Sequence, residues 1–217
     1  MLSSVRDTIK QLLPRSLLIR QLDTCATNCV MLTFDDGPHP EITPAVLDRL
    51  KAYEARAVFF IVGRRIHRVP YLLKAIQEHG HLIGNHTYIH SNGRQPWFWE
   101  YYRDLQKCQL LIEKHTGKKP ELFRPAGGRI SFSSLIVPKL LNLRTVSWSV
   151  EASDWRCRTG KEACKTAEYL IHLLGPGDIV LLHDDNPYVV QILDTILPVI
   201  RERRLDLRSG IESLLPA

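Results

Sequence analysis

The sequence predicts an α/β protein built as a (β/α) barrel of about seven strands, and three observations carry that expectation. Short β-rich runs alternate with longer helical stretches, which means a mostly parallel sheet covered by helices. Aspartates and histidines gather where several of those runs end, the place where such barrels collect their chemistry. No internal repeat, low-complexity tract or linker divides the 217 residues, a length that suits one domain.

Residues 2–22 carry Val5, Ile9, Leu12, Leu13, Leu17 and Leu18 at mixed helical spacing, interrupted by Pro14, so a short helix and then a turn are expected. This N-terminal helical extension, 1–28, would cap the domain at 29–217 or lie on a membrane face. Val30–Phe34 is a strand halted by Asp35-Asp36-Gly37-Pro38. Thr43-Pro44 opens a helix through Leu50, with Thr43 as N-cap. Val58–Val62 is a buried strand closed by Gly63, Pro70–Glu78 a helix, and His81–Gly84 a brief strand. A long helix runs from about Pro96 to His115 and stops at Gly117 and Pro120. Leu122-Phe123 leads into Arg124-Pro125, and Thr145–Val150 is a strand. Helices over 161–174 and 189–203 flank the apolar strand 179–182, which ends at His183.

Composition narrows the classes. Hydrophobic residues at 44% and charged residues at 24% exclude disorder and coiled coil. No apolar run approaches the roughly 18–20 residues that cross a bilayer. Leu17-Leu18-Ile19, bracketed by Arg15 and Arg20, is far too short for a secretory core, so the chain is expected in the cytoplasm, free or peripheral at the inner membrane face. Five cysteines, an odd number matching no zinc-finger spacing, read as reduced thiols, with a Cys157–Cys164 disulfide as the alternative for an exported protein. The net charge of +6 is dispersed along the chain, which argues for solvated surface charge and against a nucleic-acid partner.

The motifs are more specific. Strand ends deliver Asp35 and Asp36, then His86 and His90, then His183. Two imidazoles and a carboxylate are the ligand set of a catalytic metal site with one position left open. His86 and His90 stand at i and i+4, which on a helical turn would point both rings the same way. Each piece alone is weak, since paired histidines are commoner on surfaces and Asp-Asp-Gly-Pro is an ordinary turn.

Together they carry a resemblance. Thr33–Pro38, TFDDGP, looks like the first motif of the polysaccharide deacetylases, the NodB-homology enzymes of carbohydrate esterase family 4. His86–His90 resembles their second motif, Phe123–Gly128 their third, Ser149–Trp155 their fourth and Leu181–Asp184 their fifth. The five occur in the family's order over residues 33 to 184. The resemblance implies a distorted (β/α)7 barrel and a divalent metal, Zn2+ before Co2+ or Ni2+, held by Asp36, His86 and His90. It further implies Asp35 as general base, His183 as general acid, and Arg124 and Asp154 orienting those two. Trp155 and Leu181 would shape the acetyl pocket, and a backbone N–H of the loop at Gly127 would face the oxyanion.

The implied activity is removal of N-acetyl groups from an amino-sugar glycan or glycolipid. O-acetyl ester cleavage, deformylation of a lipid-linked amino sugar and hydrolysis of another C–N bond share the same metal and fold. A non-catalytic glycan-binding relative is the reading from another class; Asp35, Asp36, His86, His90 and His183, all in place, argue against it. Two departures stand out. Ala126 and Gly127 occupy positions where the family carries proline and an aromatic, which predicts a wider groove, and Glu151 replaces an aspartate. The aromatic run Trp97, Phe98, Trp99, Tyr101 and Tyr102 reads either as a glycan platform or as core.

Overall fold

The computed structural model describes residues 12–23, 28–91 and 96–215. Its elements follow the expected alternation. They are β1 (Met31–Asp35), α1 (Ile42–Ala52), β2 (Ala57–Ile61), α2 (Gly63–Ile66), α3 (Tyr71–Glu78), β3 (Leu82–Asn85) and α4 (Phe98–Thr116). After them come β4 (Leu122–Phe123), α5 (Phe132–Leu140), β5 (Arg144–Thr145), β6 (Val150–Glu151), α6 (Gly160–Leu173), β7 (Ile179–His183) and α7 (Tyr188–Glu202). All seven strands pair in parallel in the order β5-β4-β3-β2-β1-β7-β6, a sheet curled into a half-barrel.

Alternation along the central strands sorts the interior. The even-numbered residues of β1, Leu32 and Phe34, pack outward against the layer of α1, α6 and α7. Met31 faces inward beside Val58 and Phe60 of β2 and Ile179 of β7, a small apolar plug inside the barrel. The same inward register, carried to the strand ends, sets Asp35 opposite His183. Apolar side chains thus fill the lower interior, and titratable ones replace them only at the upper rim.

The run expected as one strand from Thr145 to Val150 is two. β5 pairs with β4 and β6 pairs with β7, so the chain crosses between opposite edges of the sheet. The N-terminal segment enters this gap. Ile19 N–H donates to Thr145 O, Ser147 N–H donates to Ile19 O, and Leu22 N–H donates to Gly177 O. Leu18, Ile19 and Leu22 are buried there, so this part of the segment packs on the barrel. The short helix expected before Pro14 falls largely outside the described residues, with Leu12 helical at its end; the expected turn follows Pro14, and extended chain comes after it.

Other differences are local. Thr43 is not the N-cap of α1, which is Glu41; the buried Thr43 hydroxyl accepts from His39 N–H and donates to Asp184. α5 is an element beyond those expected, and its start is signalled by Ser131: its hydroxyl accepts from Ser134 N–H at 3.2 Å, and Ser134 Oγ accepts from Ser131 N–H. His81, just before β3, is buried, with Nδ1 accepting from Ala57 N–H and Nε2 without a partner among the described residues. Cys157 and Cys164 are free thiols, as is Cys108, so the alternative disulfide is not formed. The aromatic run divides: Tyr101 joins a core cluster with Leu105 and Phe123, while Trp97 and Trp99 are exposed. No helix among the described residues is long and apolar enough to cross a membrane.

Candidate metal and catalytic centre

A groove of about 1120 Å³ opens over the C-terminal ends of β1, β2, β3 and β7. One ligand atom from each of Asp36, His86 and His90 lies within 4.8 Å of the others. His86 follows β3 directly, and His90 returns to it through a loop rather than the helical turn expected from the spacing. The loop closes because Thr87 and His90 adopt φ of +69° and +53°. Asp36 stands at +71°, so three non-glycine residues at one spot hold a backbone that L-residues seldom adopt. Asp104 of α4 pins the loop by accepting from Tyr88 N–H at 2.8 Å and Ile89 N–H at 3.1 Å. Thr87 Oγ1 accepts from His90 N–H at 3.0 Å.

The donor chemistry fits a cation. His86 Nδ1–H donates to the Arg124 carbonyl at 2.8 Å, which leaves Nε2 as a bare lone pair. That lone pair faces Asp36 Oδ1 and Asp35 Oδ2, each at 3.6 Å, an arrangement of acceptors that a positive ion would reconcile. Asp36 Oδ1 is buried without a hydrogen-bond donor, and His90 Nε2 is 3.0 Å from it. Burial opposes ionisation of Asp36, but the neighbouring His86, His90 and His183 and Arg65 outweigh it and hold the carboxyl below its ordinary value. Burial, then the neighbouring His86, lowers the pKa of His90, the direction that favours the neutral ring that ligates metals.

Asp35 is held by a second layer of contacts. The fully buried Arg124 donates from Nη1 to Asp35 Oδ1 at 2.8 Å and to Thr33 Oγ1 at 2.7 Å, and from Nη2 to Ser147 O at 2.8 Å. The Arg124 guanidinium also lies 4.2 Å from the centre of the Phe60 ring. Across the groove, buried Asp154 grips His183 twice. Oδ1 accepts from Nδ1 at 2.9 Å and Oδ2 from the backbone N–H at 2.8 Å. Burial alone would lower the His183 pKa, yet the Asp154 bond and the charges of Asp154, Asp35 and Asp36 push it up to about 9. Its Nε2 is therefore protonated at neutral pH.

Every site residue expected from the sequence borders this groove or supports it. Gly127, Trp155 and Leu181 line it, Leu181 buried and Trp155 about half exposed. Trp148, which lies outside all five motifs, also lines it. A Cβ on Gly128 would sit 2.1 Å from the Trp148 ring, so this indole occupies space that only glycine leaves open. An aromatic wall is therefore supplied from the crossing between β5 and β6, beside the turn where the third motif lacks one.

Comparison with known proteins places this geometry. The family model for polysaccharide deacetylase matches residues 23–146. A peptidoglycan-N-acetylglucosamine deacetylase of Bacillus cereus is 38% identical over 179 residues, covering 80% of this chain and 82% of the relative. The longer peptidoglycan-N-acetylglucosamine deacetylase PgdA of Listeria monocytogenes is 32% identical, and this chain spans 41% of it. Among solved structures, the Bc1960 peptidoglycan N-acetylglucosamine deacetylase superposes with a TM-score of 0.82 at 29% identity, covering 90% of this chain and 92% of that one. BA3943 of Bacillus anthracis, described as a pseudoenzyme of the same esterase family, also gives 0.82 at 25% identity, over 94% of this chain and 71% of that one.

Proposed function

Because the chain belongs to the polysaccharide deacetylase family of metal-dependent deacetylases, we propose that it hydrolyses N-acetyl groups of an amino-sugar glycan using Asp36, His86 and His90 as metal ligands, Asp35 as base and His183 as acid. The single observation behind the ligand assignment is the His86 Nε2 lone pair aimed at the undonated Asp36 Oδ1. Zn2+ suits this two-nitrogen, one-oxygen set. When bound, the ion supplies Lewis acidity that polarises the acetyl carbonyl and acidifies the attacking water.

The remaining work falls to the chain. Asp35 takes the proton of the attacking water through Oδ2, the oxygen that Arg124 leaves free. Arg124 fixes the other oxygen and pairs with it inside the barrel. A backbone N–H at Gly127 faces the developing oxyanion. His183 Nε2–H protonates the departing amine, and Asp154 holds the ring for that transfer. Leu181 and Trp155 wall the space for the acetyl methyl. A reducing compartment, the cytoplasm, suits the free thiols Cys108, Cys157 and Cys164.

The test is acetate release from N-acetylated chitooligosaccharides by chelated and zinc-refilled protein. The reading predicts that activity is lost on chelation and restored by metal. Metal bound at one equivalent with no acetate from any N-acetylated glycan would overturn it in favour of a non-catalytic relative, the class to which BA3943 is assigned.

A further inference from the structure

We propose that Asp184 is a positioning residue for the ligand Asp36, bracketing it from both sides; this rests on the metal-centre reading above and names a residue that shapes that centre. Asp184 stands one position past His183 at the end of β7 and is fully buried. β7 runs beside β1 with His183 opposite Asp35, which brings Asp184 to the turn that carries Asp36. Its backbone N–H donates to Asp35 O at 3.2 Å, immediately before the ligand. Its carboxyl lies against Gly37, immediately after the ligand. A Cβ at Gly37 would clash with both carboxyl oxygens, so only glycine leaves the carboxyl this place.

The carboxyl is itself anchored. Thr43 Oγ1 donates to Asp184 Oδ2 at 2.5 Å and accepts from His39 N–H at 2.8 Å. Thr43 N–H donates to His39 O at 3.2 Å, so the first turn of α1 and the chain just past Asp36 close on Asp184 together. From the β2 side, Val62 N–H donates to Gly37 O at 2.9 Å. Between these contacts Asp36 keeps its φ of +71°, a conformation that an L-residue holds only where its surroundings impose it.

A purely structural role fits this position poorly. Asp184 Oδ1 is buried with no hydrogen-bond partner among the described residues, and Thr43 is fully buried beside it. An undonated buried acceptor lowers stability, and a matched apolar pair would avoid that cost. What the polar pair supplies is direction. The bond to α1 sets the carboxyl against Gly37, and the bracketed turn then aims Asp36 Oδ1 at His86 Nε2 and His90 Nε2, 3.6 and 3.0 Å away. Groups that orient a ligand from behind set how tightly the ion is held.

The experiment measures zinc affinity by competition with a chelating dye, and the visible absorption of the Co2+-loaded form, on the full chain and on Asp184→Ala, Thr43→Val, Thr43→Ser and the Asp184→Ala/Thr43→Val double variant. Asp184→Ala and Thr43→Val are each expected to weaken zinc binding about 10–100-fold and to shift the cobalt bands. Thr43→Ser, which keeps the hydroxyl, should bind as the parent does. The double variant should be little weaker than either single one, because both remove the same bond. If Asp184→Ala does not fold, Thr43→Val against Thr43→Ser decides alone. Parent-like affinity and an unshifted cobalt spectrum in Thr43→Val would overturn the proposal while leaving the metal centre intact, and so would equal weakening in Thr43→Ser. A parent chain that binds neither zinc nor cobalt would overturn the metal-centre reading, and the proposal with it.

Discussion

The floor of the groove and its rim are built by different physics. Asp35, Asp36, His86 and His183 stand at or just past strand ends, buried or nearly so; Asp35 accepts from Arg124, His86 donates to the Arg124 carbonyl, and His183 donates to Asp154. The rim is loop: Gly127 at φ +59°, the short helical turn at Asp154–Arg156 and exposed Trp155. A parallel sheet fixes positions to the precision a proton transfer needs, whereas loops tolerate change. Chemistry therefore resides in the floor and substrate choice in the rim. Substitutions should separate accordingly, floor changes lowering kcat or stability and rim changes raising KM.

The largest expected loss is at Arg124. Arg124→Met leaves Asp35 buried without its partner, and a broken buried pair costs about 3–5 kcal/mol, read as a lower denaturant midpoint. Next is Asp154→Asn, expected to lower kcat about 10²-fold by releasing His183 from its orientation. The sign of its pH effect is fixed. Asp154 raises the His183 pKa, the acid must stay protonated, and removing that charge moves the alkaline limb of kcat to lower pH.

A third prediction concerns the opposite end of the barrel, where His81 precedes β3. Burial first, then His79 and Arg56, pull its pKa from 6.5 down to about 4. The unfolded chain therefore binds this proton more readily between those values. Its stabilising contribution, roughly 3 kcal/mol, is full above pH 6.5 and lost as pH falls through about 4. His81→Gln should flatten that part of the stability–pH curve without changing kcat at pH 7. The smallest effect is expected on the rim: Trp155→Ala should raise KM a few-fold and leave unfolding within about 0.5 kcal/mol.

Much of the floor was legible in the sequence because strand ends announce themselves. Apolar runs that stop at Asp35-Asp36 and His183 predicted both the strands and the polar groups they deliver. The i, i+4 histidines were rightly paired, but their helical geometry was not, because the pairing rests on positive φ at Thr87 and His90 and on Asp104 reaching across from α4. Contacts between residues far apart in sequence leave no periodicity. The same reason hid Trp148, which takes the space over Gly128, and the buried bond from Thr43 to Asp184. The split of 145–150 into β5 and β6 was hidden because Thr145–Val150 alternates polar and apolar residues without a Gly or Pro, as one strand would; only the sheet order shows that the two lie on opposite edges.

The claim that one aspartate of the adjacent pair binds metal while the other moves the proton is tested most directly by zinc titration and turnover measured side by side on Asp35→Asn and Asp36→Ala. The account predicts that Asp35→Asn binds one equivalent of zinc with kcat reduced by about 10²–10⁴, and that Asp36→Ala loses both zinc and activity. An Asp36→Ala protein that still binds one equivalent and turns over, or an Asp35→Asn protein retaining more than about a tenth of the wild-type rate, would contradict it.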